Sequence, residues 1–239
     1  MRLDKFLSAF GVGTRSQVKK ILKQGSVTVN GQPVCDGKLQ IDSEKDSICY
    51  QGKKLAYEEF IYYVFHKPGG CVCAGEDAIH DTVFRYVPMN EKKDLFTVGR
   101  LDLDTEGLLL ITNDGAFSQS LLSPRKHVDK TYFAILDAAA TEDDVAAFAR
   151  GLHIGDDKDT RPAKLEINPK DAKQVYITIA EGRYHQIKRM ANAVGKEVTY
   201  LKRLTMGRFI LDDTLKPGEY RKFTEEELAY VREYKSCSV

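Results

Sequence analysis

Residues 99–111 read Gly-Arg-Leu-Asp-Leu-Asp-Thr-Glu-Gly-Leu-Leu-Leu-Ile. The unbroken apolar run after Gly107 predicts a buried strand, and the acids Asp102, Asp104 and Glu106 predict a turn before it. These acids have two interpretations. They are solvated turn carboxylates, or Asp102 is an acid at the start of a segment that enters the sheet interior. In the second case a basic partner is needed, because an unpaired buried carboxylate is costly.

Metal and nucleotide sites find little support. The acids begin with the D-x-D-x-E-G spacing of a calcium-binding EF-hand loop, but that loop needs Glu at its twelfth position, where Asn113 stands. Cys71 and Cys73, with His66 and His80 nearby, do not match the usual zinc spacings. There is no Walker phosphate loop, no G-x-G-x-x-G after a strand and no G-x-S-x-G elbow. The sequence therefore predicts neither a metal nor a cofactor.

A basic partner for Asp102 is offered by residues 181–190, which read Glu-Gly-Arg-Tyr-His-Gln-Ile-Lys-Arg-Met. A helix is expected over most of this stretch, with its apolar face on the core. Its polar face is either an ordinary basic surface or a group suited to gripping a phosphate backbone near an active site. The members of that face, at i, i+3 and i+4 with one arginine just before, are His185, Lys188, Arg189 and Arg183.

Tyr132 lies in a third segment, Asp129–Phe133, which opens a predicted strand. A position in the core is the simpler interpretation of this ring. A tyrosine near an active site could instead stack on a base and still offer its hydroxyl for hydrogen bonding. The residues alone leave both interpretations open.

The first 35 residues predict a small helix–helix–hairpin module. Thr14 is a suitable N-cap for a helix that runs to about Gln24, and Asn30-Gly31 is a strong hairpin signal. Basic residues recur along this helix at i, i+4 and i+8, which makes a basic face that is either solvated or RNA-binding. These residues are Arg15, Lys19 and Lys23.

The polar, acidic stretch Lys53–Phe60 is the candidate linker, so we expect one domain over residues 1–59 and a second over 60–239. Beyond the linker, strands and helices mix without regular βαβ order, which favours an α+β domain with a mixed, largely antiparallel sheet. Predicted strands lie near 61–65, 95–98, 107–112, 128–136, 162–168, 173–180 and 196–206. Predicted helices lie near 114–122, 141–150, 184–194 and 224–235.

The distribution of charge is more informative than its total. The net charge is only +1, yet residues 1–34 carry six Lys or Arg against one acid and residues 181–208 carry seven against two, a net +5 in each segment. Such segments suit a phosphate backbone. There is no apolar run of about 18 residues that would predict a membrane span, and no signal peptide. The five cysteines lack a disulfide-like pattern and fit a reducing cytoplasm.

Together these segments resemble the motifs of the RsuA-type pseudouridine synthases, which modify ribosomal RNA. The central match is Gly99-Arg100-Leu101-Asp102-x-Asp104-Thr105-x-Gly107-Leu108-Leu109. The N-terminal residues, from Arg2-Leu3-Asp4-Lys5-Phe6-Leu7 to Val27-x-Val29-Asn30-Gly31, resemble the alpha-L RNA-binding module known from a small-subunit ribosomal protein. The other matching motifs, in the expected order, are Lys67-Pro68-x-Gly70, Lys130-x-Tyr132, Glu181-Gly182-x-x-His185-Gln186-Ile187-Lys188-Arg189-Met190 and Leu201-Lys202-Arg203.

The resemblance implies an isomerase that cleaves a uridine's N-glycosidic bond, rotates the uracil and rejoins it through carbon, without a cofactor. It implies that Asp102 acts at the ribose, either as a nucleophile at C1′ or as a base at C2′. Tyr132 would stack on the uracil and assist proton removal from C5. Lys188, where many relatives carry Arg, would form a single ion pair with Asp102. Leu201 would line the substrate pocket.

The implied partner is small-subunit ribosomal RNA, with uridine 516 of 16S RNA as the expected target, and a monomer is expected. One alternative is a synthase of the same family that acts on 23S RNA. Another is a non-catalytic RNA-binding assembly protein, which would not need Asp102, Tyr132 and Lys188 together. The residues expected to bind RNA are Arg2, Arg15, Lys19, Lys20, Lys23, Arg100, Arg183, His185, Arg189 and Arg203.

Overall fold

The computed structural model describes residues 1–42, 45–55, 60–87 and 94–236. The chain divides into two compact units, Met1–Glu59 and Phe60–Val239, called here the N-terminal unit and the C-terminal unit. Among the described residues, none of the helices combines the length and the apolar character that crossing a membrane requires.

The N-terminal unit consists of two helices and a four-stranded sheet. Its elements are α1 (Leu3–Ala9), α2 (Arg15–Lys23), β1 (Val27–Val29), β2 (Gln32–Pro33), β3 (Ile48–Tyr50) and β4 (Lys53–Leu55). The sheet is antiparallel in the order β2-β1-β3-β4. Thr14 caps α2 as predicted: the Thr14 side chain accepts from Gln17 N, and the Gln17 side chain accepts from Thr14 N at 2.8 Å. Phe6, Val18 and Leu22 are fully buried in this unit's core.

The predicted linker begins too early in the chain. Its first residues, Lys53–Leu55, form β4 and pair with β3. Gln51 and Gly52 have φ values of 50° and 76°, the two successive positive φ values of a tight hairpin turn, so the chain returns onto β3. The polar composition of Lys53–Leu55 is that of an exposed edge strand and not of a linker. Both lysines of β4 are exposed. Residues 56–59 of the predicted linker lie outside the described residues.

The C-terminal unit is built on a nine-stranded sheet, and the short strands β6 and β7 form a separate parallel pair. The strands are β5 (Tyr62–Lys67), β6 (Cys71–Val72), β7 (Asp81–Thr82), β8 (Phe96–Val98), β9 (Glu106–Thr112), β10 (Lys130–Leu136), β11 (Lys164–Ile167), β12 (Gln174–Ile179), β13 (Val198–Met206), β14 (Phe209–Ile210) and β15 (Tyr220–Lys222). The helices are α3 (Gly115–Leu122), α4 (Glu142–Arg150), α5 (Gln186–Ala193) and α6 (Glu225–Ser236), with a 3-10 turn at Val83–Arg85.

The large sheet runs in the order β11-β12-β10-β13-β9-β5-β15, with β14 beside β13 and β8 beside β9. Its pairs are antiparallel except for β13 with β9, which are parallel. This mixed, largely antiparallel sheet confirms the predicted α+β fold class. The one parallel pair places the start of β9 beside the middle of β13, and β13 pairs with β10 on its other side.

The apolar run Leu108–Ile111 lies in the interior of this sheet. Leu108 and Leu110 pack in a core cluster with α3, whereas Leu109 and Ile111 pack in another cluster with α5. All four side chains are fully buried. Since successive side chains of a strand point to opposite faces, a strand that is covered on both sides needs an unbroken apolar run. The prediction of a buried strand is confirmed.

Candidate active site

A close contact between two strands brings the acidic loop into the sheet. Gly107 of β9 pairs in parallel register with Arg203 of β13, and its φ is 103°. A Cβ at this position would lie 2.2 Å from the carbonyl oxygen of Arg203, so a side chain cannot be accommodated without moving backbone. Glycine is therefore needed here. Because Gly107 has no side chain, the loop of residues 99–105 can end directly beside β13.

Lys67, the last residue of β5, holds this loop through its backbone. Its ammonium group donates hydrogen bonds to the carbonyl oxygens of Leu103 at 3.3 Å and Thr105 at 2.8 Å. The side chain is fully buried, and this burial lowers the pKa of Lys67 despite the opposing effect of nearby acidic groups. Because the backbone oxygens replace the lost water, Lys67 fixes the segment that carries Asp102.

Asp102 lies in a pocket with two basic groups near its carboxylate. Nε2 of His185 is 3.6 Å from Oδ1, and Nζ of Lys188 is 3.6 Å from Oδ2. Both distances are longer than a hydrogen bond, and 28% of the Asp102 side chain is exposed. The carboxylate is therefore oriented by charge while its oxygens stay open to a ligand.

Lys188 does not form the single ion pair that was predicted. Its Nζ lies 2.6 and 2.7 Å from the two oxygens of Asp104, closer than the 3.6 Å to Asp102. Partial burial would by itself raise the pKa of Asp104, but the hydrogen bond and charge of Lys188 outweigh it and lower that pKa. A compact ammonium on a flexible stem reaches both acids of the turn. Lys188 is thus shared between two carboxylates.

Tyr132 and Leu201 line the same pocket from neighbouring strands. Tyr132 of β10 is 8% exposed and Leu201 of β13 is 5% exposed. The ring of Tyr132 belongs to the core cluster and also faces the pocket, so the two interpretations of this residue are compatible. Lys130 lies two residues before Tyr132 on β10 and lines the pocket as well. A planar ring that entered here would meet both Tyr132 and Asp102.

Comparison with known proteins identifies the family of the chain. Residues 61–193, more than half of the chain, match the RNA pseudouridylate synthase family. The chain belongs to this family. It is therefore a pseudouridine synthase, an isomerase, as predicted. Residues 1–47 match the S4 domain, which confirms the predicted order of an N-terminal module followed by a synthase domain.

Relatives match this pseudouridine synthase over nearly their whole length. It is 46% identical over 236 residues to a Bacillus subtilis protein named an uncharacterized RNA pseudouridine synthase, covering 98% of this chain and 99% of that one. It is 41% identical over 233 residues to ribosomal small subunit pseudouridine synthase A of Escherichia coli, covering 97% and 100%. A crystal structure of a pseudouridylate synthase is 41% identical over 97% of this chain and 99% of that one, with a TM-score of 0.69.

Two arginines of the pseudouridine synthase that were predicted to bind RNA hold a neighbouring loop instead of standing free. Arg183 donates to the carbonyl oxygens of Lys158 at 2.6 Å and Asp159 at 2.7 Å. Arg189 pairs with Asp156 at 2.5 Å. About a quarter of each arginine side chain is exposed, 24% and 26%. Their contact with RNA stays a prediction. It could involve only those N–H groups that do not already bind the loop.

Arg203, also predicted to bind RNA, is not on a surface that an RNA backbone could reach. The residue is 2% exposed, and its Nε donates to the carbonyl oxygen of Leu108 at 2.8 Å. The physical reason is the position of β13, which is an interior strand flanked by β9 and β10. Arg203 is a buried residue of the pocket, which it lines beside Tyr132.

The remaining residues predicted to bind RNA have exposed or half-exposed side chains, and their contact with RNA stays a prediction. Arg100 is exposed at the edge of the pocket. Arg2 binds Asp4 through Nε at 3.0 Å and Nη2 at 2.5 Å, and these hydrogen bonds lower the pKa of Asp4. The exposed basic residues of α2 are Arg15, Lys19, Lys20 and Lys23.

Sequence reasoning missed the roles of three residues. Lys67 stood in a recognised motif, but nothing local indicates that a lysine at a strand end is buried. Asp104 was read as part of the turn, although its spacing from Asp102 allows both acids to reach one cation. Asp156 lies in a polar loop without periodicity.

Among the described residues, no three His, Cys, Asp or Glu side chains are grouped as metal ligands would be.

Proposed function

We propose that this pseudouridine synthase converts uridine 516 of 16S ribosomal RNA to pseudouridine, as a monomer in the cytoplasm. Relatives named ribosomal small subunit pseudouridine synthase A support the target. The Haemophilus influenzae protein is 43% identical over 231 residues, covering 95% of this chain and 98% of that one. The match includes the N-terminal unit, whose exposed basic helix suits contact with an RNA backbone.

The observation that carries the chemistry is the placement of Asp102, Tyr132 and Lys188 at one pocket. Asp102 acts at the ribose, as a nucleophile at C1′ or as a base at C2′. Lys188 orients this carboxylate by charge, and Nε2 of His185 lies 3.6 Å from its other oxygen. The target base must leave its stack to reach the pocket, which costs a few kcal/mol that contacts with the rest of the RNA offset. Tyr132 then stacks on the uracil and assists loss of the C5 proton.

The proposal is tested in a strain from which the gene has been deleted. Pseudouridines of 16S and 23S RNA are mapped by carbodiimide treatment and primer extension, with and without a plasmid that carries the wild type or Asp102→Asn. We expect one signal to disappear on deletion, at uridine 516, and to return only with the wild type. A signal lost from 23S RNA would assign the enzyme to the large subunit. Unchanged maps of both RNAs would exclude a ribosomal target.

A further inference from the structure

Two basic side chains of the active-site pocket form no salt bridge with any acid among the described residues. Lys130 and Arg203 line the pocket that holds Asp102. Nζ of Lys130 donates to the Val128 carbonyl oxygen at 2.8 Å, and Nε of Arg203 donates to a carbonyl oxygen of β9 at 2.8 Å. Within the described part of the chain, neither makes an ion pair. Nη2 of Arg203 is buried there without any hydrogen-bond partner.

These unpaired cations lower the stability of the protein unless a negatively charged group enters the pocket. A buried charge without a counter-ion destabilises a protein, so proteins pair or hydrogen-bond such groups. This chain does so elsewhere: Lys196 pairs with Asp144 at 2.6 Å, where the two side chains are 11% and 9% exposed. Partial burial and the neighbouring Arg203 lower the pKa of Lys130, although the charge of Asp129 opposes this shift. The pair is therefore complementary to negative charge that arrives with the substrate.

The depth of Arg203 decides which part of an RNA it meets, whereas Lys130 is half-buried and lies nearer the opening. Arg203 is 2% exposed and its Nη2 has no access to bulk solvent. The phosphates of an RNA remain on the backbone outside such a pocket, whereas an extruded base enters it. Arg203 is also the cross-strand partner of Tyr132, so a uracil on the Tyr132 ring would bring a carbonyl oxygen toward the two cations. A phosphate site on the open surface would use exposed side chains.

We propose that Lys130 binds a carbonyl oxygen of the target uracil and that, together with the charge of Arg203 behind it, it stabilises the negative charge that the ring carries while it is detached from C1′. When the C1′–N1 bond breaks, its electron pair moves onto the ring and is shared among N1, C5, O2 and O4. The pair is used again when C5 bonds to C1′; the C5 proton is then lost to a base and N1 takes up a proton, which gives the isomer. In this interval the ring is an anion, and fixed positive charge aimed at it lowers the barrier.

The inference holds for either role of Asp102. If Asp102 bonds to C1′, the carboxylate is released when C5 takes its place. If Asp102 removes the C2′ proton, that proton returns to C2′ as C5 bonds to C1′. In both cases the starting and final nucleosides are isomers and the uracil is anionic in between. The inference needs pseudouridine formation but not a particular ribosomal target.

The test compares Lys130→Met, which keeps the length of the side chain and removes its charge, with Lys130→Arg, which keeps the charge. Single-turnover rates are measured at saturating RNA, on an RNA that the wild type modifies. The same RNA is also made with 5-fluorouridine at the target, because fluorine withdraws charge from the ring. Consumption of the target nucleoside is followed by nuclease digestion and mass spectrometry. Lys164→Met, at an exposed lysine of β11, is the matched control.

Lys130→Met should lower the rate on uridine about 50-fold while RNA affinity changes less than about twofold, because the lost interaction forms with the anionic ring. On 5-fluorouridine the loss in rate should shrink to about tenfold. The fluorine already stabilises the anionic ring, so the charge of Lys130 adds less. Lys130→Arg should stay within about fivefold and Lys164→Met unchanged. Arg203→Lys should show the same substrate dependence, at lower thermal stability because this residue is buried.

Three results would overturn the inference. An unchanged rate for Lys130→Met would mean that its charge does not act in the reaction. A loss of RNA affinity at constant rate would make Lys130 a backbone contact. An equal loss on both nucleosides would indicate displaced packing instead of charge. A wild type that modifies 23S RNA contradicts the proposed target alone, because these comparisons can be repeated on that RNA.

Discussion

The loop of residues 99–105 and helix α2 both carry charged side chains, but those of the loop are paired and those of α2 are exposed to solvent. In the loop, Asp102 and Asp104 face basic groups of the α5 segment, and Lys67 holds the backbone from the core. On α2 the basic side chains are exposed, and within the described part of the chain they form no ion pairs. A fixed carboxylate suits chemistry at one atom, whereas unpaired surface cations suit a phosphate backbone. Changes in the loop should therefore alter rate, and changes on α2 should alter affinity.

The largest expected effect is that of Asp102→Asn, which tests whether the loop controls the rate and not the affinity. We expect the single-turnover rate of pseudouridine formation to fall more than about a thousandfold, because the reacting carboxylate is gone. RNA affinity, measured by filter binding, should stay within about threefold. The matched control is Asp104→Asn, which should lose about tenfold, since Asp104 touches Lys188 and not the ribose. Full activity of Asp102→Asn would remove this residue from the chemistry.

The next largest effect is expected from Gly107→Ala. The added Cβ would lie 2.2 Å from the carbonyl oxygen of Arg203 at a φ of 103°, so the β9–β13 pair must move. Urea unfolding should show a loss of about 3 kcal/mol or more. Gly115→Ala is the control, because an added Cβ there has no atom within 4 Å, and its effect should stay within about 1 kcal/mol. Equal effects on the free energy of unfolding would mean that the close contact between β9 and β13 does not require glycine at this position.

Lys188→Met tests whether the paired charge of the loop matters for rate. Removal of the ammonium leaves Asp102 and Asp104 without their shared partner, so the single-turnover rate should fall about 30-fold. Lys188→Arg should retain more activity, about a third of the wild-type rate, because the charge persists in a bulkier group. If Lys188→Met reacts as fast as Lys188→Arg, geometry and not charge is what this residue supplies.

The smallest effect is expected from Arg15→Ala combined with Lys19→Ala. RNA affinity should fall about tenfold and the slope of log affinity against log salt should decrease by about two, while the rate at saturating RNA stays unchanged. The charge-matched control is Lys164→Ala with Lys170→Ala, two exposed lysines of the C-terminal unit. A salt slope that does not change would make the basic face of α2 an ordinary solvated surface.

Much of the fold follows from local pattern. The apolar run near 107–112 becomes β9 (Glu106–Thr112), and the helix expected over 184–194 becomes α5 (Gln186–Ala193), because each pattern has the period of its element. The early start of the linker was misjudged, since an exposed edge strand and a linker are both polar.

The electrostatic details of the site could not be predicted locally. Arg203 and its acceptor on Leu108 are 95 residues apart in the chain. Lys188 and its nearer partner Asp104 are 84 apart. Whether a basic residue is buried, and which acid it meets, depends on strand order, which composition and periodicity do not specify. The family motifs named Asp102, Tyr132 and Lys188 together, but not the distances between them.

The position of β13 between β9 and β10 has a consequence for how the enzyme is made. The chain is synthesised from its N-terminus, and β9 and β10 are complete long before β13 ends at Met206. Until β13 inserts, the segments that carry Asp102 and Tyr132 lack the strand that joins them, and such long-range pairing is slow. All described elements of the N-terminal unit precede residue 56. The N-terminal unit, which carries the basic helix α2, is thus complete first. The active site can form only after β13 has been synthesised.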